Sequence, residues 1–276
     1  MSSWTVGMRK NKTMKLLLTL FILTIGSGLL CAQSQRPVVN QLPSAMVEEV
    51  ISMNPKYLVF TSTENAKTQV PLLIYLHGSG GGRAPLDRLG MQANVLLHGI
   101  RSFQKGSCFV VVPQCFQKTK LGEKSTWEPS DLNLLLDDLL KKLPIDSKRV
   151  YLTGNSMGGY GCWAWGGHSP ERFAAIAPVV GGIGPGGPKD ISPDITKWAS
   201  NLAKVPVYAF AGGKDRAVPA DRSEQMINEI RKAGGKLAKL KIYPEGGHNV
   251  RQQVYNSKEF YDWIFSSSRS TLKSPK

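Results

Sequence analysis

The sequence predicts an α/β fold: a mostly parallel central sheet with helices on both faces. Three observations carry that prediction. Apolar, β-branched runs recur along the chain, segments of helical periodicity fall between them, and the runs stay apolar on successive residues, as strands covered on both faces do. With 276 residues, 41% hydrophobic and 20% charged, the chain is long enough to bury one sizeable core.

At the N-terminus, Arg9, Lys10, Lys12 and Lys15 precede an apolar stretch from Leu16 to Leu30, which passes into the small and polar residues of "CAQSQ". That order predicts a signal peptide over residues 1–32, cleaved after Ala32 or Ser34. Its apolar core of 15 residues is short of the roughly 20 that span a bilayer. A lipoprotein signal would place a small residue before Cys31, where Leu30 stands,. The expectation is a secreted or periplasmic protein with no stable membrane span after signal removal. One domain should occupy residues 33–266, and the polar, basic residues 267–276 form a tail that frays.

Strands are predicted at residues 57–62 ("YLVFTS"), 70–78 ("VPLLIYLHG"), 108–114 ("CFVVVPQ"), 149–154 ("RVYLTG"), 173–182 ("FAAIAPVVGG"), 205–213 ("VPVYAFAGG") and 238–247 ("AKLKIYPEGG"). Between them, Ser130 is placed to cap a helix whose Leu132, Leu135, Leu136, Leu139, Leu140 and Leu143 form one apolar stripe, with Pro144 helping to stop it. A second helix is expected over residues 223–233, closed by Gly234 and Gly235. A third, over residues 257–266, turns Phe260, Trp263 and Ile264 inward.

The formal charge of +15 includes the four cations of the signal; without them 31 cations stand against 20 acids, a net +11. The cations are scattered and no recognition motif accompanies them, so they read as a solvated basic surface and not as a nucleic-acid site. Removing the signal leaves Cys108, Cys115 and Cys162. An odd number cannot all pair internally, and seven residues of extended chain hold Cys108 and Cys115 about 23 Å apart, so buried thiols are expected. His77, His98, His168 and His248 lack ligand spacing with one another or with the cysteines, which predicts no metal, and no organic cofactor is implied. "GGIGPGGPKD" contains a formal G-x-G-x-x-G from Gly182 to Gly187. Pro185 and Pro188 obstruct a helix start there, so the segment reads as a loop over a site and not as a dinucleotide cradle.

The chemistry is concentrated in "RVYLTGNSMGGYG". A serine at the tip of a sharp strand-to-helix turn is thrust above the sheet in a crowded conformation, and small flanking residues relieve the crowding. Gly154 and Gly158 make G-x-S-x-G around Ser156, and Gly159 and Gly161 let the following helix approach the strand. The turn aims the Met157 N–H and the positive end of that helix at whatever Ser156 attacks. A serine hydroxyl needs a base, and the base an orienting carboxylate. Asp215 follows a predicted strand in "GGKDRAVP", and His248 follows another in "GGHN". Ser156, Asp215, His248 is the chain order of the α/β-hydrolase fold. Asp221 is the nearest competing acid but falls where a helix should begin and reads as its cap.

Acyl transfer also needs donors for the developing oxyanion. The glycine-rich turn after the second strand, "HGSGGGR", offers the Ser79 N–H, with Gly80 as the alternative. No helix start is expected around the Ser79 hydroxyl, and Arg83 reads as an exposed loop cation. Trp127 in "KSTWEP" is taken to line a substrate pocket, whereas Trp163 and Trp165 read as core.

Together, "LIYLHGSGGG", "FVVVPQC", "DSKRVYLTGNSMGGYGCWAW", "PERFAAIAPVVGG", "VPVYAFAGGKDRAVP" and "YPEGGHN" resemble secreted bacterial α/β-hydrolases of the carboxylesterase type. These are related to polyhydroxybutyrate depolymerases and feruloyl esterases and are often labelled predicted peptidases or phospholipase/carboxylesterases. The likeness spans residues 57–265 and implies Ser156 as nucleophile, Asp215 as acid, His248 as base, and Met157 with Ser79 as oxyanion donors. Close relatives often continue after the histidine into a tryptophan-containing segment, whereas this chain reads "NVRQQVYN", and no polymer-binding module is attached. The expectation is therefore a serine hydrolase of small or polymer-linked carboxylic esters. A peptidase of the prolyl oligopeptidase type and a noncatalytic envelope-binding protein on the same scaffold remain alternatives.

Overall fold

The computed structural model describes residues 1–2, 37–61, 68–104 and 106–269. The chain divides into Met1–Arg36 and Pro37–Lys276, and the sheet and its helices all belong to the second unit. The expected signal peptide lies outside the described residues apart from its first two, as does the tail beyond residue 269. Among the described residues no helix is long and apolar enough to cross a membrane.

An eight-stranded sheet runs in the order β1-β2-β4-β3-β5-β6-β7-β8. Its strands are β1 (Val38–Gln41), β2 (Lys56–Thr61), β3 (Val70–Leu76), β4 (Phe109–Val112), β5 (Ile145–Asn155), β6 (Ala175–Val179), β7 (Val207–Gly212) and β8 (Ala238–Tyr243). The β1–β2 and β2–β4 pairings are antiparallel and the other five parallel. This is the α/β-hydrolase arrangement that the alternation of strands and helices predicts.

Side chains of β3 alternate between two cores. Leu72, Ile74 and Leu76 pack on one face with α4 (Pro129–Lys142), α5 (Met157–His168), α6 (Ile195–Leu202) and α7 (Ala220–Lys232). Leu73 and Tyr75 pack on the other with α3 (Asn94–Phe103), α8 (Arg251–Tyr255) and α9 (Lys258–Ile264). Two shorter helices, α1 (Ser44–Glu49) and α2 (Leu86–Leu89), complete the set. On α4 the expected stripe buries Leu132, Leu135, Leu136 and Leu139, and leaves Leu140 and Leu143 half-buried against the same core. Each fully buried leucine contributes about 2 kcal/mol by transfer from water.

Details of the helix ends differ from expectation. Pro129 opens α4 behind Glu128 as N-cap, so Ser130 is inside the helix and makes no capping bond. Proline suits a first helical position because its missing N–H would find no acceptor there anyway. Likewise Pro219 is the N-cap of α7 and Asp221 sits in its first turn, where a carboxylate favours the helix dipole without capping it. Cys108, Cys115 and Cys162 form no disulfide and are all buried, which pushes the Cys115 thiol up to about 12.

Candidate active site

Ser156 stands between β5 and α5 with φ 58° and ψ −118°. That left-handed region crowds any side chain, at a cost of about 1–3 kcal/mol that the surroundings must offset. The Ser156 N–H donates to the Val179 carbonyl and the Tyr160 N–H returns to the Ser156 carbonyl, each at 3.0 Å. Close approach is what the glycines permit. A Cβ on Gly158 would lie 1.9 Å from the Leu76 carbonyl oxygen, and one on Gly159 2.6 Å from that of Val179. Gly158 thus makes the tightest approach to a strand, while Gly161 lies against the side chains of Trp127 and of Leu76 on β3.

Asp215 follows β7 and His248 follows β8, so both reach the carboxyl edge of the sheet beside Ser156,. Their loops are stitched together by the Lys214 N–H donating to the Gly246 carbonyl at 2.8 Å. His248 Nδ1 lies 2.8 Å from Asp215 Oδ2, and its Nε2 2.9 Å from Ser156 Oγ. A carboxylate only accepts, so Nδ1 carries the ring proton and Nε2 is left to accept from the serine hydroxyl. The Asp215 side chain is wholly buried, and its other oxygen accepts from the N–H groups of Ala217 and Val218 at 2.8 and 2.9 Å. Asp221, the competing acid, is exposed and pairs with Arg222 at 3.7 Å.

A cavity of about 320 Å³ opens over Ser156 and His248. Ser79 and Met157 line it, and each is the first residue of a helix, Ser79 of the 3₁₀ turn Ser79–Arg83 and Met157 of α5. Their N–H groups therefore have no intrahelical acceptor. The short helix at Ser79 was not expected from its glycines. Gly80 lies outside the cavity wall, and Arg83 is exposed.

Trp127 is placed differently from expectation. It is only 2% exposed, its Nε1–H donates to the His77 carbonyl at 3.1 Å, and its ring packs edge-on to His77. Its predecessors Lys124, Ser125 and Thr126 line the cavity instead. Trp163 and Trp165 are core, as expected. The glycine-rich loop does stand over the site: Gly182, Gly184 and Pro185 form part of the wall, and Lys124 Nζ donates to the Gly186 carbonyl at 2.9 Å. Thr126 and Tyr160 also line the cavity. Sequence reasoning missed both, although Tyr160 is one turn beyond Ser156 on the helix that the elbow starts.

His77 fixes the turn that carries Ser79. Its Nε2 accepts the Cys115 N–H at 3.0 Å, which leaves the ring proton on Nδ1, 2.6 Å from the Gly78 carbonyl. The ring lies so close under Gly81 that a Cβ there would be 2.3 Å away. Burial holds the ring neutral, lowering its pKa from 6.5 to about 4. As pH falls the unfolded chain takes this proton first. The contribution to stability is therefore full above about pH 6.5, declines toward pH 4 and is lost below, roughly 3 kcal/mol in all. His77→Gln is expected to narrow its melting-temperature gap from wild type as the pH is lowered from 7 to 4. Parallel curves in thermal melts at those pH values would contradict a buried neutral His77.

The profile of the Dienelactone hydrolase family matches residues 118–259, a span that holds Ser156, Asp215 and His248. The chain belongs to the dienelactone hydrolase family. The likeness to carboxylesterase-type α/β-hydrolases stands, and this family adds a name that the sequence motifs alone did not supply. A Yersinia pestis protein bearing the name of a carboxymethylenebutenolidase is 29% identical, over 43% of this chain and 51% of that protein. The chain spans about half the length, or less, of the curated relatives it matches. A thermostable esterase superposes with a TM-score of 0.67 at 24% identity, over 85% of this chain and 64% of its own. A ferulic acid esterase does so with a TM-score of 0.59 at 18% identity, over 84% of this chain and 98% of its own. Both share the fold.

Proposed function

We propose that the protein is an exported serine hydrolase that cleaves carboxylic esters through an acyl-enzyme. The observation that carries this reading is the unbroken relay from Asp215 through His248 to Ser156, at 2.8 and 2.9 Å, beneath an open cavity. The family's name refers to a lactone, an internal carboxylic ester, which agrees with it. Ser156 Oγ bonds the carbonyl carbon as its proton passes to His248 Nε2, and the Met157 and Ser79 N–H groups receive the oxyanion. The bond to the alcohol oxygen breaks as Nε2 returns the proton to it. Water, deprotonated by the same nitrogen, then attacks the acyl-enzyme and frees the acid and Ser156.

The test is covalent capture. A fluorophosphonate reagent should add one phosphonyl group to the folded protein, and peptide mass spectrometry should place it on Ser156. A folded protein that resists the reagent, or takes it elsewhere, would overturn the reading. The cavity is at the small end for ligand sites, so a second outcome is expected across p-nitrophenyl esters. The kcat/KM should peak between acetate and butyrate and fall roughly tenfold or more by palmitate. A long-chain optimum would show that the wall opens further than its 320 Å³.

A further inference from the structure

We infer that Thr126 and Tyr160 form a polar subsite that selects esters carrying a second oxygen, as an ether or hydroxyl, near the scissile group. The inference rests on the esterase reading and narrows its substrate class.

Both residues line the cavity with Ser156. They are also brought to one wall. Gly161 lies against Trp127 so closely that a Cβ would be 2.8 Å from that side chain, and Thr126 and Tyr160 are the chain neighbours of this touching pair. Among the described residues neither hydroxyl has a hydrogen-bond partner, whereas the adjacent Ser125 hydroxyl is taken up by Cys115 Sγ at 3.4 Å. The Tyr160 ring packs against Trp198, centroids 6.2 Å apart. Burial and the nearby carboxylates of Glu128 and Asp194 push its phenol up to about 12, and it stays a donor at neutral pH.

The cavity's other members set the contrast. Met157, Ala217, Val218, Pro185 and Pro188 offer only apolar side chains; of the remaining polar ones, Ser125 and Lys124 are already paired and Ser79 belongs to the turn after β3, beside the scissile carbonyl. An alkyl chain laid on the Thr126–Tyr160 wall would strip water from two hydroxyls and return nothing, a penalty that binding sites use to reject analogues lacking the matching group. An oxygen at that place accepts from the phenol and the threonine hydroxyl. Lys124, on the same segment as Thr126, already donates to Gly186 and is not needed for the selection.

The experiment uses two isosteric pairs, one on each side of the ester. p-Nitrophenyl 3-methoxypropanoate is compared with the pentanoate, and 2-methoxyethyl acetate with butyl acetate. The wild type should prefer the ether in one pair by about three- to tenfold in kcat/KM, the worth of one neutral hydrogen bond. Tyr160→Phe and Thr126→Val should each reduce that ratio toward one. The ratio is taken within each variant, so a partly inactive preparation lowers both members alike and leaves it unchanged. A wild-type ratio near one in both pairs, or ratios unmoved by both substitutions, overturns the subsite. If none of the four esters is turned over in a Ser156-dependent way, the same ratios are read as binding of the acetate pair to Ser156→Ala by ligand-observed NMR. Discrimination there keeps the subsite while the esterase reading fails, and equal binding removes the subsite as well.

Discussion

Ser156→Ala is expected to fold as the wild type does and to lose about 10⁶ in kcat on an activated ester, and Asp215→Asn to lose about 10⁴. The serine variant removes the atom that would bond the acyl carbon. The asparagine variant is the more informative, because its defect is one proton in the wrong place. Asp215 Oδ1 accepts two backbone N–H groups, from Ala217 and Val218. An asparagine would seat its amide oxygen there to keep both bonds. Its NH₂ would then occupy the Oδ2 seat, 2.8 Å from His248 Nδ1, and donate to that nitrogen. The ring proton must move to Nε2, which would present an N–H to Ser156 and could no longer take its proton. Asp215→Ala leaves the two N–H groups without an acceptor and should also melt earlier, whereas Asp215→Asn should melt within a few degrees of wild type. Retention of activity within tenfold by Asp215→Asn would mean that the acid is another residue.

The residues of the candidate site were legible because each depends on local chain geometry. The elbow is written in six positions from Gly154 to Gly159, and the Asp215 loop follows the wholly buried apolar run of β7. The His248 loop follows β8, which is not covered on both faces as expected: Lys239 and Lys241 alternate with its apolar residues and most of it is half-buried. What was not legible depends on partners distant in sequence. α5 carries five glycines in 12 residues, a poor helix by propensity; glycine is needed at 158 and 159 because neighbouring backbone leaves no room for side chains there. α3 went unpredicted for a similar reason: its Gly99 breaks the apolar pattern and is required where a Cβ would be 2.1 Å from the Tyr255 carbonyl oxygen. β1 is four residues long and largely exposed, so it has neither a run nor an alternation to betray it. Trp127 was misplaced because a tryptophan near a site reads equally as a wall or as a prop, and only the His77 carbonyl decides between them.

The largest expected loss of stability falls on a residue with no catalytic part, Asp131. It lies in the first turn of α4 and is 1% exposed, yet among the described residues it pairs with no cation. Its carboxylate instead accepts three backbone N–H groups some 80 residues away: Ile51 at 3.0 Å, Ser52 at 2.7 Å and Met53 at 2.9 Å. The positive end of α4 adds to the stabilisation of the charge. The segment so held carries the next layer, since the carbonyls of Ser52 and Ile51 accept from Phe116 and Lys120, at the root of the hairpin that leads to Lys124 and Thr126. Asp131→Ala would strand three buried donors, each costing about 1–3 kcal/mol, partly offset by no longer burying a charge. The expected net loss is about 3–5 kcal/mol, near 10 °C in melting temperature for a domain of this size. Asp131→Asn should cost about half of that, because the amide oxygen can keep the Ser52 and Met53 bonds while its NH₂ faces the Ile51 donor. Asp137, on the same helix, offers the contrast: its pair with Arg172 is part-exposed, and Asp137→Ala should cost under about 1 kcal/mol. If chemical denaturation gave Asp131→Ala and Asp137→Ala the same small loss, the three N–H bonds would not be what holds residues 51–53 against α4.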